Sequence, residues 1–476
     1  MSGILGKAFS VIAVFAVTWG SVIFYWRNSG TVPTGMEMLA YLGLLPVGLS
    51  SAGFMLRNAG RSMLDKAVDA ADAPAAADAP AGATVTAATA TPHPSSVAVL
   101  ATDMRLGVDM DADALLAAVG ALPRPGLDGR FHDRDGLPLL MCAAPDLDDT
   151  RVLKAQMGAF DTRAAERRAM ALLEPVADSL LAQALLALPE LEVAEERVVA
   201  GLRRRDEQVV ESVLAIELLV PVDWSVSVRG FCAEWLQGRA EASGLDARRF
   251  TVDIGIAADA GEVWSRVQRI ADAVGQGTPQ WYLLLSCSSA IDPGVVAAWL
   301  EENRILHRQN KEGMIPGEGA AGVLFATPSL AAAETPRLWR PQRIDLAPQA
   351  VAAERRRQSE ALGRALLTGL AVPPEQVQMV LHDADQRSEL AVDASAAATA
   401  VNPDLDIGRQ ALALPVCAGE LGPVLPLALM TLAHAHAVAA QSAALILGVS
   451  APSQRVAALV DFPSSHDPSA DSLSPA

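Results

Sequence analysis

Residues 8–26 read AFSVIAVFAVTWGSVIFYW and carry no charge. As a helix rising 1.5 Å per residue, such a run crosses roughly 30 Å of hydrocarbon with its backbone polar groups satisfied internally. Tyr25 and Trp26 close it, where amphipathic rings favour the membrane interface. A second apolar run covers 38–56, interrupted by Pro46, which membrane helices tolerate. Lys7 precedes the first run, Arg57, Arg61 and Lys66 follow the second, and only Arg27 lies between them. The positive-inside rule therefore predicts a two-span hairpin with both ends in the cytoplasm, as in a multi-pass protein of a bacterial inner membrane. A cleaved signal peptide is the competing reading. The long apolar run, its terminal aromatics and the lack of an A-x-A site speak against it.

From 66 to 96 the composition turns to Ala, Pro and Thr, the signature of a tether without core-forming residues. The last residues, 462–476, read as a disordered tail. The expected plan is thus a membrane part over 1–65, a linker over 66–96, a soluble domain over 97–461 and the tail. The apolar share of 51% is ample for a large core. A net charge of −18 without a long basic tract excludes nucleic acid as a natural partner. The four cysteines stand far apart and form no CxxC or Cys/His cluster, so no metal site, disulfide framework or cofactor is expected. His434 and His436 differ by two positions and cannot share a helix face toward a metal. The charge runs 203–207 and 354–357 read as solvated faces or partner contacts.

Within the soluble part, strands are predicted at 97–102, 213–220, 225–228, 250–256, 281–285, 321–326, 376–381 and 456–460. Helices are predicted at 111–119, 162–188 (kinked or split at Pro175), 230–242, 262–274, 293–303, 358–367 and 424–447. Strands alternating with helices imply an α/β sheet covered on both faces. The run 424–447 is long enough to cross a membrane. His434, His436 and Gln441 within it mark it as a buried core helix.

Gly313 opens the segment GMIPGEGAAG, which runs into VLFA. Together with the preceding WYLLLSCSSAIDPGVVAAWLEENRILHRQNKE, this order resembles β-ketoacyl synthases of the thiolase superfamily. The motif is carried by Gly313, Pro316, Gly317, Glu318 and Gly319. Further on, VQMVLHDADQ is similar to the family strand that ends in H-G-T-x-T, which places His382 at the first catalytic histidine. VCAGELGPVLPLALMTLAHA is similar to the K-S-x-x-G-H-x-x-G-A-A-G segment that carries the second. The resemblance covers roughly 253–460. It implies a thiolase-like layered α/β/α/β/α fold of two related halves, about 97–330 and 331–461. It also implies a two-fold dimer, with a second copy or a related chain, through the strand and helix over 250–274.

The chemistry that the resemblance implies is not matched. A ketosynthase needs a thiolate at a helix N-terminus, where backbone N–H groups lower its pKa and bind an oxyanion. That turn holds Ala258, Asp259 and Ala260. Ala418 stands for the lysine and Pro423 for the second histidine. Ser286-Cys287-Ser288-Ser289, behind a strand, offers one replacement nucleophile, and Cys417, beside the lost lysine, offers another. Both cysteines also read as small buried hydrophobes. Two readings stand open. One is a membrane-tethered, catalytically inactive ketosynthase-like platform or adaptor, with a cargo of bacterial protein secretion (type VI effector loading) or a related subunit as its protein partner. The other is a divergent acyltransferase or condensing enzyme of lipid or polyketide metabolism, using Cys287 or Cys417 with His382.

Overall fold

The computed structural model describes residues 95–148, 157, 162–190, 196–199, 202–205, 213–275 and 280–462. The chain divides into two units, Met1–Ala90 and Thr91–Ala476, and every described residue belongs to the second. The expected spans at 8–26 and 38–56, the linker up to 94 and the tail from 463 lie outside the described residues.

The chain enters the sheet as β1 (Ser96–Leu106), turns through helix α1 (Ala112–Ala117) and forms a hairpin of β2 (Gly126–His132) and β3 (Pro138–Met141). Helix α2 (Ala164–Ala187) and a second hairpin, β4 (Glu196–Val199) with β5 (Leu202–Arg205), follow. Then come β6 (Leu214–Pro221), α3 (Val226–Ala242), β7 (Phe250–Ala257), α4 (Ala260–Gly275), β8 (Trp281–Ser289), α5 (Pro293–Glu301) and β9 (Glu318–Ala326). The second half begins with β10 (Arg337–Trp339), β11 (Gln342–Asp345), α6 (Ala352–Leu370), β12 (Val377–His382), α7 (Ser388–Val401) and α8 (Ile407–Gln410). It ends with β13 (Ala411–Ala413), α9 (Leu414–Ala418), α10 (Leu425–Ala440), β14 (Ala443–Gly448) and β15 (Gln454–Asp461).

Eleven strands form one sheet in the order β13-β12-β14-β15-β10-β1-β9-β8-β6-β7, with β11 on β15. The order repeats. In the first half β7, β6 and β8 are parallel, β9 is antiparallel to β8, and β1 is antiparallel to β9. In the second half β13, β12, β14, β15 and β10 stand in the same places with the same directions. The halves join where β1 pairs with β10 over Ser96–Ala98.

Crossover handedness then fixes the layers. The chain steps outward from β6 to β7 through α3 and back across β6 to β8 through α4. Right-handed crossovers in opposite directions must use opposite faces of the sheet. Helix α3 accordingly packs with α2 on an outer face, against Ile216, Leu218, Leu283 and Leu285. Helix α4 packs on the other face through Val263, Trp264 and Val267, together with Leu219 and Leu284. Helix α10 contacts β1 and β9 of the first half and β12, β14 and β15 of the second. It is the shared middle layer. Helices α6 and α7 cover the far side through Leu362, Leu366, Ala394 and Ala397, against Val380, Leu445 and Leu459. The result is α/β/α/β/α. Alternation within single strands serves both faces: Ala444 and Ile446 point to the middle core, Ala443, Leu445 and Leu447 to the outer one.

Several expectations are corrected. Residues 225–228 are not a strand: the Ser225 hydroxyl accepts from the Val228 N–H and caps α3. Helix α2 runs as one element through Pro175. The apolar run 424–447 is split, because Gln441 takes a left-handed conformation after α10 and β14 begins at Ala443. Two described helical runs, Ala164–Ala187 and Gly422–Ala440, are long and apolar enough to cross a membrane. Both bury residues in the core clusters of the domain.

A buried ion pair anchors the first half. Glu318, fully buried at the start of β9, receives Arg168 Nε at 2.8 Å and Nη2 at 2.6 Å. It also receives the Ser289 hydroxyl at 2.7 Å and the Ala144 N–H at 2.7 Å. Removing one partner leaves an uncompensated buried charge, whereas replacing both does not. Glu318→Gln or Arg168→Met in the full chain in detergent should therefore cost about 3–5 kcal/mol in denaturant unfolding followed by tryptophan fluorescence. The double replacement Arg168→Met with Glu318→Leu should cost clearly less than the two single losses combined. Additive losses would show that the pair is not coupled.

Candidate functional site

In parallel sheets, ligands bind beyond the carboxyl ends of the strands, where successive connections leave to opposite faces. The two halves provide two such points, after β7 and after β12, and the family-matched residues fall on both.

The first is the turn from β7 into α4. Ala258 and Asp259 are exposed, and α4 begins at Ala260. Asp259 Oδ1 accepts the Glu262 N–H at 3.1 Å, and Glu262 Oε2 accepts the Ala258 N–H at 2.7 Å. Two of the N–H groups at this turn are thus occupied by the chain's own carboxylates, whose charge opposes a second anion.

The second point carries His382, the last residue of β12. It is 7% exposed, and its Nδ1 has no hydrogen-bond partner among the described residues. Burial pushes its pKa down to about 4. Asp383 follows. Its carboxylate accepts the Val449 N–H (2.6 Å), the Ser450 N–H (3.0 Å) and the Ser450 hydroxyl (2.6 Å), which ties β12 to the β14–β15 turn. Burial raises the Asp383 carboxyl in spite of these donors. Asp385 pairs with Arg387 at 2.8 Å. Glu420 is raised first by burial and then by the carboxylates Asp385 and Asp383.

The motif segment is the seam between the halves. Pro316 and Gly317 lie between the backbones of Cys142 and Glu420: the Cys142 N–H donates to the Pro316 carbonyl at 2.9 Å, and the Glu420 N–H to the Ile315 carbonyl at 2.8 Å. Gly419, at φ 72°, meets Gly317 face to face; a Cβ there would lie 3.1 Å from the Gly317 Cα. Only glycine fits both the positive φ and this approach. Gly313 passes the Ile305 backbone just as closely, and its carbonyl accepts Gln386 Nε2 at 2.5 Å. Gly319 packs against Leu106.

The two residues that the resemblance sets at the lysine and second-histidine positions are both buried. Ala418 is fully buried in α9. Pro423 is buried in the 3-10 turn Gly422–Val424, which packs against α4 and the strands β6, β8 and β9. A proline offers no N–H at this helix start. Gly261 of α4 in turn packs on the Gln454 side chain at the end of the β14–β15 turn. Helix α4 thus touches both the Pro423 turn and the end of the β14–β15 turn, which Asp383 in turn holds.

The cysteines stand elsewhere. Cys287 was expected in a turn after a strand. It lies inside β8 opposite Ala320 and belongs to the outer core with Leu283 and Leu285. Strand alternation simply continues through Ser286 and Cys287. Burial raises the Cys287 thiol well above its ordinary value. Cys417 is 1% exposed, donates to the Leu414 carbonyl at 3.3 Å, and is raised to about 11. Cys142 and Cys232 are each raised to about 12, chiefly by burial. His434 is held by the Thr102 hydroxyl at 3.1 Å, and His436 by the Ser442 hydroxyl at 3.1 Å. No group of metal-ligating side chains forms among the described residues.

The histidine sets a pH dependence. Its folded pKa lies below the ordinary 6.5, so the unfolded chain binds the proton more tightly. The stability that His382 contributes is present above pH 6.5 and is lost as pH falls toward 4, by up to about 3 kcal/mol. His434, also lowered to about 4, adds a second step in the same window. His382→Gln should flatten the fall in unfolding free energy between pH 6.5 and 4; an unchanged slope would show that His382 titrates normally.

No protein-family model matches the chain, and no curated protein matches it. Solved structures do. The ishigamide ketosynthase/chain length factor is similar at 14% identity and a TM-score of 0.50, over 77% of this chain and 99% of that one. The ketosynthase from module 6 of the bacillaene synthase of Bacillus subtilis 168 is similar at 10% identity and a TM-score of 0.50, over 77% and 72%. A variant of Xanthomonas campestris OleA aligns at 12% identity and a TM-score of 0.44. The described domain therefore has the ketosynthase, thiolase-like fold.

Proposed function

We propose that the chain is a membrane-tethered ketosynthase-like protein that does not catalyse condensation and acts as a binding platform on the cytoplasmic face of a bacterial inner membrane. The observation that carries this reading is the start of α4, where the Asp259 and Glu262 carboxylates occupy two N–H groups of the turn and set negative charge where a nucleophilic thiolate would need the opposite. Three others support it. Pro423 takes the place of an imidazole, His382 stands without a partner among the described residues, and all four thiols are buried with raised pKa. Decarboxylation in such a site needs paired donors on a developing enolate, and one neutral, buried imidazole does not supply them. The bilayer anchor rests on the uncharged runs at 8–26 and 38–56. The partner is a protein, either a related subunit or a secretion cargo, with type VI effector loading as one setting to examine.

The full chain in detergent, treated with cerulenin and with acyl thioesters, should show no adduct by intact mass. Thiol alkylation should appear only after denaturation. A stoichiometric native adduct that disappears in Cys287→Ala or Cys417→Ala would instead establish the acyl-transfer reading. Capture of the protein partner should survive His382→Ala, because that reading assigns the imidazole no chemistry.

A further inference from the structure

Strand β1 pairs with β9 over Ala98–Leu106 but with β10 only over Ser96–Ala98. The Val99 N–H still reaches the Pro336 carbonyl at 2.8 Å, and beyond it no strand among the described residues covers this second edge. The Met104 N–H is taken by the Asp103 carboxylate at 2.8 Å, so Met104 turns its backbone away from β9. Backbone groups alternate along an antiparallel strand, which turns the Thr102 N–H and carbonyl to the same open edge.

The edge looks into a groove of about 520 Å³ between α2 and α10, a size at which clefts take ligands. Helix α10 brings Ala435, Val438 and Ala439 to it, short side chains that leave the strand uncovered, and Val438 is 47% exposed. Asp103, Asp111 and Asp113 line the groove, and no Lys or Arg does among the described residues. His434 adds no positive charge at neutral pH, because burial pushes its pKa down to about 4. The last turn of α10, which ends at Ala440, sets the negative end of its dipole at the same place. The groove is therefore an open strand edge under a negative potential. Such an edge repels an acidic strand and admits a basic one.

We propose that this groove takes a short extended segment of a protein partner, which pairs with β1 at Thr102 and carries a lysine or arginine among Asp103, Asp111 and Asp113. This rests on the binding-platform reading above and names the chemistry of the partner. Strand addition to an exposed edge draws its affinity from main-chain hydrogen bonds and its specificity from alternate side chains. Here Thr102 offers the main-chain donor and acceptor, and the three carboxylates select the side chain.

The full chain in non-ionic detergent is titrated into a fluorescein-labelled peptide with blocked ends, Val-Lys-Val-Lys-Val, and fluorescence anisotropy is read. The lysine peptide should bind, and its glutamate counterpart should not. Asp113→Asn should weaken binding about three-fold, the usual size of one exposed charge contact. Val438→Arg, at an exposed position, adds bulk and like charge and should weaken it about ten-fold. A lysine peptide with N-methylated valines should also lose about ten-fold, because its main-chain donors are gone. Equal binding of the glutamate peptide overturns the charge match. Equal binding of the N-methylated peptide overturns the strand pairing and assigns the groove to a free amine. An unchanged affinity in Val438→Arg puts the peptide elsewhere, and no binding of the lysine peptide overturns the groove outright. A chain that binds the lysine peptide yet takes an acyl adduct keeps the groove and loses the non-catalytic reading. A chain that does neither keeps that reading and loses the groove.

Discussion

A carboxylate with no access to water holds the first half of this domain together. Burying a charge is costly unless hydrogen bonds and an opposite charge replace water. Glu318 is surrounded by such groups: a two-pronged guanidinium, a hydroxyl and a backbone N–H. The donors come from α2, from the last residue of β8 and from the segment after β3. One side chain thus fixes the outer helix, the middle strands and the seam at once. The second half has a counterpart with the charges exchanged. Arg455, at the start of β15, is 1% exposed and reaches Asp393 on α7 at 3.4 Å and Ser359 on α6 at 3.1 Å. Each half ties the start of its antiparallel strand to its outer helices by a buried ion.

The segment between the halves is held by backbone contact rather than by an open site: Pro316 and Gly317 lie between the Cys142 and Glu420 backbones. Anion binding at a helix start needs N–H groups left open. At α4 the Ala258 and Glu262 N–H groups are taken by carboxylates, and before α10 a proline removes one. The carboxylates there are structural in their bonding: Asp383 holds the turn after β14, and Glu420 accepts the Gly422 N–H.

The legibility of this chain in its sequence was uneven for physical reasons. Near-continuous apolar runs such as WYLLL and VLAIELLV gave β8 and β6, because both faces of those strands are covered. The glycine motif pointed to the layered fold, because close backbone approach at Gly317 and Gly419 admits no other residue. The partner of Glu318 was hidden: Arg168 sits among other charged residues at the start of a helix, and only tertiary packing singles it out. Helix α7 and the short strands β10 and β11 left no clear pattern, the first being alanine-rich, the others too short. Cys287 looked like a turn nucleophile because the serines around it suggest a loop, yet the pairing with β9 carries the strand past it. At the β7–α4 turn the sequence shows Ala258, Asp259 and Ala260, but the bonds that Asp259 and Glu262 make there depend on how the turn folds and were not legible.

The repeated strand order has one more consequence. Helices α4 and α10 each follow the third strand of their half, so the two stoppered helix starts are equivalent positions of one duplicated plan. Both starts open onto the shared middle layer, so a side chain enlarged at either one presses on a core that belongs to both halves at once.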